Sequence, residues 1–174
     1  MNRSPDERSE IRGQPGGASP AYRSAHAGYA VRAYAPGDEE AAIALWLRTW
    51  QTAYPQLDFT ARLDWWRARW RTELVPATKI IVAEADGGVA GFVTVDPATL
   101  YLDQIVVAPE RWRTGIGAAL IAEAKRLSPA GLDLDVNTDN IRAIKFYEKQ
   151  GFSIGGAGVN PISGKPVHRM RWRP

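Results

Sequence analysis

The chain has no cysteine, and that single absence removes disulfides, thiolate metal sites and a cysteine nucleophile from consideration. Its two histidines, His26 and His168, lie far apart in sequence. No HExxH pattern or carboxylate cluster accompanies them, so no metal is expected. No apolar run approaches the roughly 18 residues that cross a bilayer, and the N-terminal stretch has no apolar h-region. Membrane insertion and secretion are therefore not expected, and a cytoplasmic location is the default. No GxxxxGK[ST] occurs, which excludes the nucleotide P-loop as written. Strong charge of one sign is lacking too: a formal +3 with a pI of about 9.3 is mild and suits an anionic small ligand.

What is present fits one domain, because 174 residues with 45% hydrophobic content bury a sizeable core without staples. Residues 1 to 27 are rich in Arg, Ser, Pro, Gly and Ala and read as a disordered tail, leaving 28 to 174 as the domain. Gly28 to Ala35 reads as the first strand. Pro36, Gly37 and Asp38 then start a helix that places Ile43, Trp46, Leu47, Trp50 and Tyr54 on one face. A second helix, about Thr60 to Leu74, puts Leu63, Trp66, Trp70 and Leu74 together and Arg62, Arg67, Arg69 and Arg71 elsewhere. Basic helices with aromatics can bind nucleic acid or a membrane surface. Here the tryptophans keep core spacing, and Asp58, Asp64 and Glu73 dilute the charge, so core or pocket packing is expected.

Lys79 to Ala85 and Val89 to Asp96 form a hairpin around Asp86-Gly87-Gly88. After Leu100 to Ala108, Asp133 to Asn137, Phe152 to Val159 and Pro166 to Trp172 read as further strands. The order is strand, two helices, three strands, helix, strand, helix, two strands, which suits a three-layer mixed α/β sheet.

Two segments carry the chemistry. In the first, Ile105, Val106 and Val107 end a strand, PERWRTGIG follows, and Gly115 and Gly117 open a helix through Leu120, Ile121, Ala124 and Leu127. A strand turning through glycines into a helix start aims unpaired N–H groups at one point, where the helix dipole favours an anion. Arg111 and Arg113 add full charges. The dinucleotide fingerprint fails, since Leu120 stands where its third glycine belongs. In the second segment, Asn137 to Asn140 offer caps to a helix over Ile141 to Gln150 that Gly151 stops, with Ile144 and Tyr147 on one face.

On these two segments the chain resembles the GCN5-related N-acetyltransferase (GNAT) family over about Tyr29 to Trp172. The motif N-x-x-A-x-x-F-Y-x-x-x-G-F is matched by Asn140, Ala143, Phe146, Tyr147, Gly151 and Phe152. The resemblance implies a three-layer α/β/α acyl-CoA N-acyltransferase fold whose mixed, mostly antiparallel sheet is splayed between its fourth and fifth strands. It implies acetyl-CoA as co-substrate without a metal, and a small-molecule or peptide amine as acceptor, with no nucleic-acid or membrane partner. A homodimer is allowed. A non-catalytic acyl-CoA sensor or scaffold is the alternative.

By the same resemblance, Ile105, Val106 and Val107 supply backbone donors in a bulged strand, and Arg111, Arg113, Thr114, Gly115, Ile116, Gly117 and Ala118 cradle the pyrophosphate. Asn140, Ala143, Phe146 and Tyr147 complete the cofactor wall. Amine attack on a thioester develops an oxyanion that fixed donors stabilise, and Tyr147 is the candidate acid for the departing thiolate. The absence of cysteine favours direct attack over an acyl-enzyme. Trp50 and Tyr54, with the 160 to 165 loop, are expected to shape the acceptor groove, and Glu84 and Asp103 are candidate bases. Trp112 departs from the pattern, which has Gln or Arg at that position.

Overall fold

The computed structural model describes residues 23–26 and 28–174. The first strand, β1 (Arg23–His26), falls within the stretch that composition assigned to the tail. It pairs antiparallel with β2 (Tyr29–Ala33), His26 opposite Tyr29. Main-chain pairing does not need the large apolar side chains whose scarcity marked that stretch. The rest of the tail, residues 1–22 and 27, lies outside the described residues.

A 3-10 turn at Pro36–Asp38 leads into α1 (Glu39–Ala53). A second 3-10 turn at Thr60–Arg62 leads into α2 (Leu63–Arg69), which passes through a π turn at Trp70–Leu74 into the short α3 (Val75–Ala77). The apolar spacing predicts one regular helix here; the wider turn shifts the register after Arg69 and still buries Trp66, Trp70 and Leu74. Strands β3 (Lys79–Ala85), β4 (Gly88–Asp96) and β5 (Tyr101–Val107) form a meander. Asp86 and Gly87 both take positive φ in its first turn, as a tight hairpin demands. Then follow α4 (Ile116–Leu127), β6 (Leu132–Asn137), α5 (Ile141–Lys149), β7 (Ser153–Val159) and β8 (Pro166–Trp172).

The described strands form one sheet in the order β1-β2-β3-β4-β5-β6-β8-β7, antiparallel except between β5 and β6. Alternation along the central strands fills two layers. Ile80, Val82, Phe92 and Val106 pack under α1 and α2 with Trp46, Trp66 and Trp70. Ile81, Val93, Val95 and Leu102 pack under α4 and α5 with Leu120, Ile121, Ile144 and Tyr147. The aromatic layer is tightly arranged, with Trp46 and Trp66 stacked at 4.5 Å and Trp70 edge-on to Phe92 at 5.2 Å. Each such side chain contributes on the order of 1.5–3 kcal/mol by leaving water. No helix among the described residues is long and apolar enough to cross a membrane.

Two irregularities prepare the site. Thr94 faces Gln104 and Val95 faces Leu102, so Asp103 is the extra residue of a bulge in β5. The parallel partners β5 and β6 meet only at Tyr101↔Asp133, where Asp133 N–H also bonds to Leu100 C=O at 2.7 Å. Beyond that point they diverge, and the sheet opens as a V between the expected pair of strands.

Candidate active site

Antiparallel pairing dictates which main-chain groups line the V. Ala108 N–H donates to Ala90 C=O at 2.8 Å, and Gln104 N–H donates to Thr94 Oγ1 at 3.0 Å, so both point toward β4. Alternation turns Val106 the same way and leaves the N–H groups of Ile105 and Val107 facing the open edge. Of the three residues expected to supply backbone donors, Val106 therefore drops out: its N–H faces β4 and its side chain is buried under α1.

The glycine loop ends β5's side of the V. Gly115 caps α4 with φ 93°, a conformation that favours glycine, and Arg113 also takes a left-handed φ of 69°. No side chain caps this helix start, so the N–H groups of Ile116, Gly117 and Ala118 point out of the first turn unpaired by the helix. Thr114 bonds through its hydroxyl to Arg111 C=O at 2.6 Å, which tightens the loop. Ile116 turns its side chain into the core and offers only its N–H. Arg111 pairs with Asp86 in the β3–β4 turn and is drawn away from the cradle. Arg113 has no carboxylate partner among the described residues and is the loop's available cation there.

Gly117 also has a packing task beside the one its spacing implies. A Cβ there would sit 3.1 Å from Phe146 Cζ, so its bareness lets α4 approach α5. Phe146 thereby locks the two helices that flank the V. Asn140 caps α5, its Oδ1 accepting from Ala143 N–H at 3.1 Å, which leaves its amide N–H groups available to a ligand. Tyr147 is buried beside Phe146 and Phe152 at ring distances of 5.4 and 5.6 Å. Burial pushes its phenol well above the ordinary tyrosine value, and a phenolate at nearby Tyr101 would push it further. Its hydroxyl makes no hydrogen bond to another described residue, so a protonated donor is held in an apolar setting. Tyr101, at the apex of the V, is itself pushed up to about 12, mainly by burial and then by Asp135.

The other wall comes from α1 and the loop after β6. Tyr54 accepts from Asn137 Nδ2 at 3.2 Å and donates to Asp139 Oδ1 at 3.3 Å, while Lys165 of the β7–β8 loop reaches Asp139 at 3.2 Å and lies over the Tyr54 ring. Trp50 stacks on Tyr54 at 5.8 Å. A cleft of about 360 Å³ is lined by Thr52, Ala53, Tyr54, Trp112 and residues 139 to 142. Asn137, Asp139 and Arg142 also belong to this mouth; the sequence marks the first two only as helix caps, and nothing in the spacing marks Arg142.

Of the candidate bases, Glu84 does not reach the V. It bonds to Arg32 at 2.9 Å in a cluster with Asp38, on a strand separated from β5 by β4. Asp103 does lie at the V, in the bulge. Both its oxygens are held by Arg69, at 2.7 and 2.9 Å, and Gln104 Nε2 donates to one of them at 3.2 Å, so much of its acceptor capacity is engaged.

An open main-chain edge, an uncapped helix start and a buried phenol thus meet at one splayed pair of strands. The model of the acetyltransferase (GNAT) family matches residues 40–152. The chain belongs to this family. It is 35% identical over 145 residues to the mycothiol acetyltransferase of Kineococcus radiotolerans, covering 79% of this chain and 47% of that protein, so it spans about half of that relative's length. The peptidyl-lysine N-acetyltransferase YjaB of Escherichia coli is 27% identical over 135 residues (73% of this chain, 84% of that one). The solved apo form of Escherichia coli YjaB shares the fold at a TM-score of 0.68 and 23% identity, covering 83% of this chain and 97% of the other. The PaiA N-acetyltransferase of Thermoplasma acidophilum, solved with coenzyme A, does so at 0.67 and 19%, over 84% and 99%.

Proposed function

We propose that this transferase moves an acetyl group from acetyl-CoA to a primary amine of a small molecule or peptide by direct attack, with Tyr147 as acid to the thiolate. The observation that carries the reading is the open edge of β5, where the N–H groups of Ile105 and Val107 face the V that α5 closes with Tyr147. Acetyl-CoA brings an activated thioester. The residues present suit it: the uncapped start of α4 and Arg113 offer donors to phosphates, and the β5 edge offers donors to a carbonyl oxygen gaining negative charge.

As the C–N bond forms and the C–S bond breaks, the electron pair leaves on sulfur. The Tyr147 hydroxyl supplies the proton, and solvent restores it. Burial keeps this phenol protonated at neutral pH, the state an acid requires. The amine must shed a proton in turn. With Asp103 bound by Arg69 and Glu84 remote, water in the cleft is the proposed acceptor of that proton.

Relatives named for mycothiol and for peptidyl lysine support an amine acceptor without choosing between a small molecule and a peptide. Acetyl-CoA-dependent release of free CoA thiol, assayed against amino acids, polyamines, aminoglycosides and lysine peptides, tests the proposal. Stimulation by one class supports it and identifies the acceptor. Tight acetyl-CoA binding with no stimulated release would favour the sensor alternative.

A further inference from the structure

Trp112 stands where the resemblance expects Gln or Arg, and a cation lies against it. Its indole N–H donates to Val107 C=O at 2.9 Å, and the Thr49 hydroxyl reaches the same oxygen at 3.4 Å. The ring is thereby pinned across the mouth of the V, with one face turned to α5. On that face lies Arg142, its guanidinium carbon 3.4 Å from the ring centroid. A planar cation stacked this closely on an indole is oriented as well as attracted.

Arg142 is conspicuous for what it lacks. Among the described residues, every arginine from Arg32 onward has a carboxylate within 4.0 Å except Arg62, Arg113 and Arg142. Arg62 lies over Phe59 at the start of α2, away from the V. The other two flank the mouth from opposite sides, Arg113 on the glycine loop and Arg142 on the first turn of α5, close enough for each charge to act on the other. Two uncompensated cations brought together beside an uncapped helix start repel unless an anion lies between them.

We infer that Arg142, oriented by the Trp112 ring, is the second cation of a two-sided clamp with Arg113 for the phosphate groups of coenzyme A. In this chain the cation stands on the helix across the V, and Trp112 serves as its platform. The inference rests on the acetyl-CoA reading above. It also makes the clamp span two elements, so a bound polyphosphate ties the glycine loop to α5.

Calorimetric titration of coenzyme A into the wild type, Arg142→Gln, Trp112→Phe and Trp112→Ala tests it. Arg142→Gln is expected to weaken binding about tenfold and to flatten its salt dependence, because one charge contact is lost. Trp112→Phe, which keeps a ring, should stay within about twofold, and Trp112→Ala should approach Arg142→Gln. Pantetheine, which has no phosphates, should bind the wild type and Arg142→Gln equally. Arg142 is exposed, so unchanged circular dichroism and melting are expected to accompany the loss. Arg142→Gln binding coenzyme A like the wild type, or losing pantetheine equally, would overturn the inference while leaving the cofactor reading intact. A wild type that fails to bind coenzyme A would overturn both.

Discussion

Replacing Gly117 by alanine isolates the contact that sets the two walls of the V. A Cβ at 117 would lie 3.1 and 3.2 Å from two atoms of the Phe146 ring and 3.8 Å from Val107 Cγ2. The last distance is ordinary contact, so the whole strain falls on Phe146, which must retreat by a few tenths of an ångström. Overpacking of this kind costs about 1–3 kcal/mol. The exchange of glycine for alanine within α4 offsets at most about 1 kcal/mol, and less so close to the helix start. A net loss of about 1–2 kcal/mol should lower Tm by roughly 2–8 °C for a chain of this size. Urea denaturation gives the free energy directly, and a cycle with Phe146→Leu tests the cause. If the ring is the obstacle, the second change recovers part of the first loss, giving a coupling of about 0.5 kcal/mol or more. Coenzyme A affinity should fall in step, since Phe146 joins the helix carrying the glycine loop to the helix carrying Asn140. A Gly117→Ala protein as stable as the wild type, with additive Phe146→Leu, would refute the packing argument.

Asp38 accepts from Arg32 at 2.7 and 2.8 Å and from Ala35 N–H at 2.8 Å, and the Arg32 bond holds its carboxyl below the usual carboxylate value. Asp38→Asn should therefore cost about 1.5–3 kcal/mol at pH 7. This difference is fully present above the unfolded value near pH 4 and vanishes as pH falls through the lower folded value, so denaturation curves of the two proteins should converge in acid. Trp66→Ala removes a fully buried ring stacked on Trp46 and should cost about 3–5 kcal/mol by the same method; a cost under 1 kcal/mol would mean that this layer is not part of the cooperative core.

Much of the fold was legible because its residues obey one period at a time. Strict alternation in Leu132, Leu134 and Val136, the four-residue spacing of Trp66, Trp70 and Leu74, and the Asp86-Gly87 turn each have one stable local solution. Strand β1 escaped notice because it is held by main-chain pairing, which composition does not reveal. The π turn after Arg69 escaped because a wider turn preserves the apolar stripe. Within the site, the glycine loop and the Asn140 to Phe152 motif were readable as local patterns, whereas ion pairing is a property of the tertiary structure. Arg32 claims Glu84, Arg69 claims Asp103 and Asp86 claims Arg111. No spacing shows these partnerships, and the availability of Arg113 and Arg142 emerges only by elimination among them. The N–H directions at Ile105, Val106 and Val107 likewise depended on the register with β4.

The acid role of Tyr147 is tested most directly by Tyr147→Phe, followed in single turnovers of acetyl-CoA with the best acceptor while coenzyme A affinity is measured in parallel. The account predicts a fall in the transfer rate of about 10²-fold or more with affinity within twofold. It also predicts a wild-type rate with no basic limb below about pH 10, because burial holds the phenol's proton beyond the ordinary tyrosine value. An unchanged transfer rate in Tyr147→Phe would contradict it.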